Sequence, residues 1–213
     1  PTTRFDPAGA KKILDDAGNK VQTAGNDRGY RSVKDGTTIT LNLITTAGNV
    51  LREQQQLQVR YDLQAIGIRV PMPFKNPTAG KLYGAYAALG VLNNHSFDMA
   101  MYSNMAPTGE PDYWYGAYVC DQIPTPANGG VGQNDTQECN PAVDAAFKAG
   151  RNAVSQAERK QAYVAAAKAL AIDLPEIPLC QHVTVNAFTN KLGGYRGNVD
   201  VWFNNAGDWY QIS

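Results

Sequence analysis

The chain has 213 residues, 43% of them hydrophobic, and Lys plus Arg equals Asp plus Glu at 19 each, for a formal net charge of zero. That length holds one large domain, or one domain with an appended segment, around a sizeable core. A neutral chain without clustered positive charge gives no basis for capturing nucleic acid or an anionic membrane, and no stretch approaches the roughly 18 apolar residues of a membrane-spanning helix. Because the chain opens on Pro1 and carries no signal peptide, we expect a processed chain or a piece of a longer one.

Residues 6–17 read as a helix: Asp6 can cap it, Pro7 suits its first position and Gly18 can close it in a left-handed turn. Ala10, Ile13, Leu14 and Ala17 form its apolar stripe. Ile39, Leu41 and Leu43 alternate with Thr40 and Asn42 as a strand over 38–46, and 50–65 is helical with Gly67 as its stop. Ile68, Val70 and Met72 alternate again. Strand, helix, strand is a βαβ unit with parallel pairing. A second helix is expected near 78–90 and a short strand from Phe97 to Tyr102. The stretch 103–140 is broken by Pro107, Pro111, Pro124 and Pro126 and holds the aromatic run Tyr113, Trp114, Tyr115 and Tyr118. A short helix over 141–149 starts on Pro141. The clearest helix is 156–173, where Ser155 and Glu158 form a capping box. Residues 177–188 are strand-like, and 195–213 hold short aromatic strands around Trp202 and Trp209. The class is α/β.

Catalytic equipment is sparse. His95 and His182 lie far apart, and there is no HExxH, no CxxC and no G-x-S-x-G, so we expect no metal, no cofactor and no catalytic residue. Gly80-Lys81 lacks the earlier glycine of a phosphate loop, and Gly129-Gly130-Val131-Gly132 neither follows a strand nor opens a helix. Asn94-His95-Ser96 and Asn134-Asp135-Thr136 match the glycosylation pattern, which recurs by chance. Asp98, Asp144 and Asp173 sit beside regular elements, where capping or surface pairing is the default. Cys120 and Cys139 bracket a Pro/Gly/Asn-rich loop with little core of its own. A disulfide there would contribute about 3 kcal/mol and imply an oxidising compartment, with two free thiols as the alternative. Cys180, in the apolar run 177–180, is expected to be a buried free thiol.

Six segments in order resemble the family 5 extracellular solute-binding proteins, the peptide- and nickel-type receptors of ABC importers. They are Phe5-Asp6-Pro7 with Ala10 to Gly18, Leu41 to Thr46, Leu63 to Ile68, Phe97-Asp98-Met99-Ala100, Asn140 to Asp144, and Glu158-Arg159-Lys160 with Asp173 to Leu179. The resemblance implies the C-terminal lobe of a type II periplasmic-binding-protein fold, a mixed sheet with flanking helices. Residues 1–190 would be that lobe, incomplete at its N-terminal side, and 191–213 a tail returning towards a first lobe; apolar surface here would then be covered in the whole protein. It also implies a disulfide near Cys120 and Cys139, an extracytoplasmic receptor that captures a small solute or peptide between lobes, and delivery to ABC permease subunits. Membrane attachment would come only through a lipid anchor or the permease, nucleic acid plays no part, and the monomer is the default.

The loop after the 97–102 strand is the expected cleft wall, with Ser103, Asn104, Met105, Tyr113, Trp114 and Tyr115 as ligand-binding candidates. For the aromatics, packing of a short helix against the core is the competing role. The sequence departs from the family pattern twice. Pro107 stands where an aspartate pairs with a peptide's amino terminus, and a family arginine that lies near Met101 is missing too. We therefore expect a ligand other than a zwitterionic peptide held in the usual way. A hydrolase using Asp112 and Asp121, or a sensory module without transport, are the alternative functions.

Overall fold

The computed structural model describes residues 4–104, 109–181, 185–198 and 204–212. Helix α1 (Pro7–Asp16) starts as its sequence predicts: the Asp6 side chain accepts from Gly9 N at 2.8 Å, and Gly18 beyond its end has φ +82°. The expected apolar stripe is not a core face, since Ile13 is 70% exposed. Polar bonds hold the helix end instead. Arg31, buried, donates to Asp15 Oδ1 at 2.5 Å, to Asn19 O at 2.7 Å and to Ile66 O at 2.8 Å. A guanidinium presents several donors in a rigid fork, so one side chain gathers three separate acceptors. Strand β1 (Lys20–Val21) pairs antiparallel with β2 (Arg31–Ser32), which carries that arginine.

Strand β3 (Leu43–Thr45) leads through an Asn49 cap into α2 (Val50–Ala65). The returning segment of the expected βαβ unit is reduced to one parallel bridge, Thr40 to Arg69, with Leu41 N donating to Arg69 O at 2.9 Å. The longer parallel partner of β3 is β4 (Met99–Met101), with Leu43 opposite Met99 and Thr45 opposite Met101. Leu43, Ile44, Ile68, Val70 and Met101 are buried, so this layer carries apolar side chains inward. Gln56 of α2 is fully buried and donates to Leu43 O at 2.6 Å and Asn76 Oδ1 at 2.9 Å, fixing the helix to the strand.

The helix expected over 78–90 is broken into α3 (Ala79–Leu82) and a single 3-10 turn, Tyr86–Ala88. The cause is a backbone contact: a Cβ on Gly90 would stand 1.7 Å from Gly84 O, so the chain folds back where only glycine fits. Ile44, Leu82 and Leu92 form one buried cluster with Phe97, Ala100 and Tyr102 against it.

The loop-rich middle becomes a run of short turns, including Pro111–Trp114 and α4 (Tyr115–Tyr118). Cys120 and Cys139 are bonded across a separation of 19 residues. Inside that loop Asn134 is fully buried, donating to Val119 O at 3.0 Å and Glu138 O at 2.7 Å. Helices α5 (Pro141–Asn152) and α6 (Gln156–Asp173) pack as a pair, α5 running past its expected end and α6 starting on the Ser155/Glu158 capping box. They enclose a second cluster of Val119, Val143, Phe147 and Ala166.

Two sequence expectations fail after α6. The described part of 177–188 is not a strand, and Ile177, Leu179, Val185 and Phe188 are exposed, because no described segment pairs with this stretch. Cys180 is an exposed thiol rather than a buried one, its Sγ 3.8 Å from Gln55 Nε2. In the tail, β5 (Leu192–Gly193) pairs antiparallel with β6 (Tyr210–Gln211), and Tyr195 packs between Phe188 and Trp209 with ring centroids at 4.7 and 5.7 Å. Trp202 and His182 lie outside the described residues. No described helix is long and apolar enough to cross a membrane.

Candidate functional site

Strands β3 and β4 are parallel, so both chains leave the pair at the same edge, where open α/β sheets hold their ligands. On the β3 side, Thr45 Oγ1 donates to Met101 O at 2.7 Å and locks the end of the pair. Thr46 follows, accepting from Arg52 Nη1 at 3.2 Å; that nitrogen also lies 3.5 Å from the Tyr83 hydroxyl. The Nε of Arg52 is buried and has no hydrogen-bond partner among the described residues. On the β4 side, the first residue past the strand is Tyr102, whose ring meets Tyr83 edge-on at 6.1 Å.

Tyr102 and Tyr118 converge on one carboxylate. The Tyr118 hydroxyl donates to Glu176 Oε2 at 2.6 Å and that of Tyr102 to Oε1 at 3.4 Å. Burial pushes both phenols well above the usual tyrosine range, and the Glu176 charge adds to it. Among the described residues no cation forms an ion pair with Glu176. Asp135 lies close by; burial raises its carboxyl to about 6 against the pull of His95, and the Glu176 charge raises it further. Such a carboxylate, steered by two phenols, can accept a hydrogen bond or hold a cationic group. Among the described residues no cluster of His, Cys, Asp and Glu suits a metal ion.

The ligand candidates read from the sequence are not gathered in one place. Ser103 and Asn104 are exposed at the strand edge, directly after Tyr102, and Met105 lies outside the described residues. Trp114 and Tyr115 pack against the Val119/Phe147 cluster, and Tyr113 is exposed with its ring edge-on to Trp114 at 5.5 Å. Trp114, Tyr118, Phe147, Tyr163 and Leu170 with Pro111, Ala166 and Ala167 line an apolar hollow of about 210 Å³. Pro107 is outside the described residues, and Met101 is a buried core residue. The carboxylates considered for hydrolysis have separate partners: Asp112 accepts from Arg151 Nε at 2.8 Å and Tyr163 at 3.1 Å, and Asp121 accepts from Tyr115 at 3.1 Å.

The other acids behave as caps and braces. Asp98 accepts from Asn42 N at 2.7 Å, Asp144 from Cys120 N at 3.0 Å and Asp173 from Asn140 Nδ2 at 2.5 Å. Both glycosylation-pattern asparagines are engaged, Asn134 fully buried and Asn94 donating to Tyr86 O and Gly90 O at 3.0 Å each. Glu176 and Tyr102 escaped the sequence reading. Glu176 sits inside an apolar run, where a lone acid needs polar company, and that was the signal available.

The fold is that of part of a type II periplasmic binding protein. No family model and no curated protein matches the sequence. Among solved structures, NikZ from Campylobacter jejuni in complex with Ni(L-His) matches 99% of this chain at TM-score 0.72 and 18% identity. The oligopeptide-binding protein AppA from Bacillus subtilis, in complex with a nonapeptide, matches 100% at TM-score 0.71 and 21% identity. An oligopeptide-binding protein from Thermus thermophilus complexed with a pentapeptide matches 82% at TM-score 0.71 and 22% identity. The chain spans only 40%, 39% and 29% of these three proteins, respectively.

Proposed function

We propose that this chain is the C-terminal lobe of an extracytoplasmic solute-binding protein of an ABC importer, a receptor and not an enzyme. The observation that carries this reading is that the chain overlays over its whole length on part of two binding proteins that hold ligands, at TM-scores above 0.7. Residues 1–190 form the lobe and 191–213 the tail towards a first lobe. The solute lies against the β3/β4 edge, with Ser103, Asn104 and the Tyr102–Tyr118–Glu176 group on this side of the cleft. Binding favours a closed form, and the closed receptor delivers its solute to permease subunits, so observed affinity includes the closure energy.

The ligand is a small solute that does not need an aspartate in the 103–111 loop, since Pro107 has no charge to offer an ammonium. The Cys120–Cys139 bond fits an oxidising compartment. Native mass spectrometry of the full-length protein, purified undenatured from its own host, tests the reading. We expect a retained small molecule, lost on denaturation. An empty protein whose melting temperature no peptide, sugar or metal chelate shifts overturns it.

A further inference from the structure

His95 has an unusual position. Its backbone is in the left-handed region at φ +50°, which few side chains other than asparagine, aspartate and histidine adopt without strain. Its ring is half-buried, with Nδ1 3.0 Å from Asp135 O and Nε2 3.3 Å from Pro124 O. Both acceptors belong to the loop closed by Cys120 and Cys139, one on each limb, and Pro124 is buried. The histidine thus brackets the loop from outside, while Asn134 ties it from within.

A carbonyl oxygen only accepts. A neutral imidazole carries one N–H and can bond one of the two carbonyls, leaving its bare nitrogen lone pair facing the other. An imidazolium carries two N–H groups and bonds both. We propose that docking of the Cys120–Cys139 loop onto the β4 side of the protein is coupled to protonation of His95, so that the loop is clamped on both limbs only when the ring is cationic. Histidine exchanges between these two forms in the physiological range. The charged and titratable groups facing this corner are Asp135 on the loop, Glu176 after α6, Tyr102 after β4 and Tyr118 on α4. Because the same loop supplies Asp135 beside Glu176, its docking also sets the environment of the candidate site.

Hydrogen exchange of backbone amides in 121–138, measured on the intact chain from pH 5 to 8 and corrected for intrinsic exchange, reads the clamp directly. We expect protection to fall roughly tenfold as pH rises through the imidazole range, the loss of one charged hydrogen bond. His95→Asn, which tolerates the same backbone, should give weak protection at every pH. Asp135→Asn removes the neighbouring carboxyl but keeps the carbonyl that His95 bonds, and should retain the pH dependence. Protection that does not change with pH, or a pH dependence that survives in His95→Asn or disappears in Asp135→Asn, overturns the proposal.

Discussion

A carboxyl group that is half removed from water becomes a weaker acid, and Asp135 shows the consequence. Burial is the largest influence on it, and its folded value of about 6 stands above the ordinary 3.8. Between roughly pH 4 and pH 6 the folded chain holds a proton that the unfolded chain has released, so stability falls as pH rises across that window. Asp135→Asn should therefore be more stable than the parent at pH 7.5, by roughly 1 kcal/mol once solvent screening of a partly exposed group is allowed for. The gain should vanish below about pH 3, where the parent is protonated in both states. Urea midpoints at the two pH values check this, and equal midpoints at pH 7.5 would mean that the surroundings already compensate the charge. Nothing in the sequence around Asn134-Asp135-Thr136 announces this behaviour. It arises because the loop brings Asp135 to Tyr102 and Glu176, residues 33 and 41 positions away in the chain.

Elements with local punctuation follow their sequence closely. The α6 start depends on Ser155 and Glu158, each bonding the other's backbone N–H, at 3.2 and 3.1 Å. Those groups are three residues apart, so no tertiary information is needed to find them. Ser155→Ala should cost about 1 kcal/mol, a fall of roughly 2–4 °C in melting temperature for a chain of this size. Where tertiary contact decides, the sequence reading misses. The 78–90 stretch has helical composition, but Gly84 and Gly90 meet backbone to backbone and divide it. Gly90→Ala places a methyl group on a main-chain oxygen, which cannot rotate away, and should cost about 3 kcal/mol or more. Thermal melts of the two variants side by side separate the readings: if Gly90→Ala loses no more than Ser155→Ala, the close approach is not what breaks the helix. The same limit explains Cys180. An apolar run reads as buried, and only the three-dimensional fold shows that no described segment covers it.

At the scale of the whole molecule, two separate clusters of buried apolar side chains stand out among the described residues. Ile44, Leu82 and Leu92 serve the β3/β4 half, and Val119, Val143, Phe147 and Ala166 serve the α5/α6 half. Side-chain bonds that join the halves are polar, among them Tyr102 to Glu176 and His95 to the disulfide loop. Cys120 adjoins Val119 in the second cluster, and its N–H bonds Asp144 on α5, so the disulfide belongs to one half of the molecule. Replacing both Cys120 and Cys139 by serine restores loop entropy to the unfolded chain, at about 3 kcal/mol. If the clusters open as separate cooperative units, that loss should appear as faster amide exchange in α5 and α6, with α2 and β3 much less affected. Equal acceleration in all four elements would instead mean that the polar links are strong enough to make the two halves unfold together. In that case the Glu176 and His95 contacts, and not the apolar clusters alone, hold the candidate site in shape.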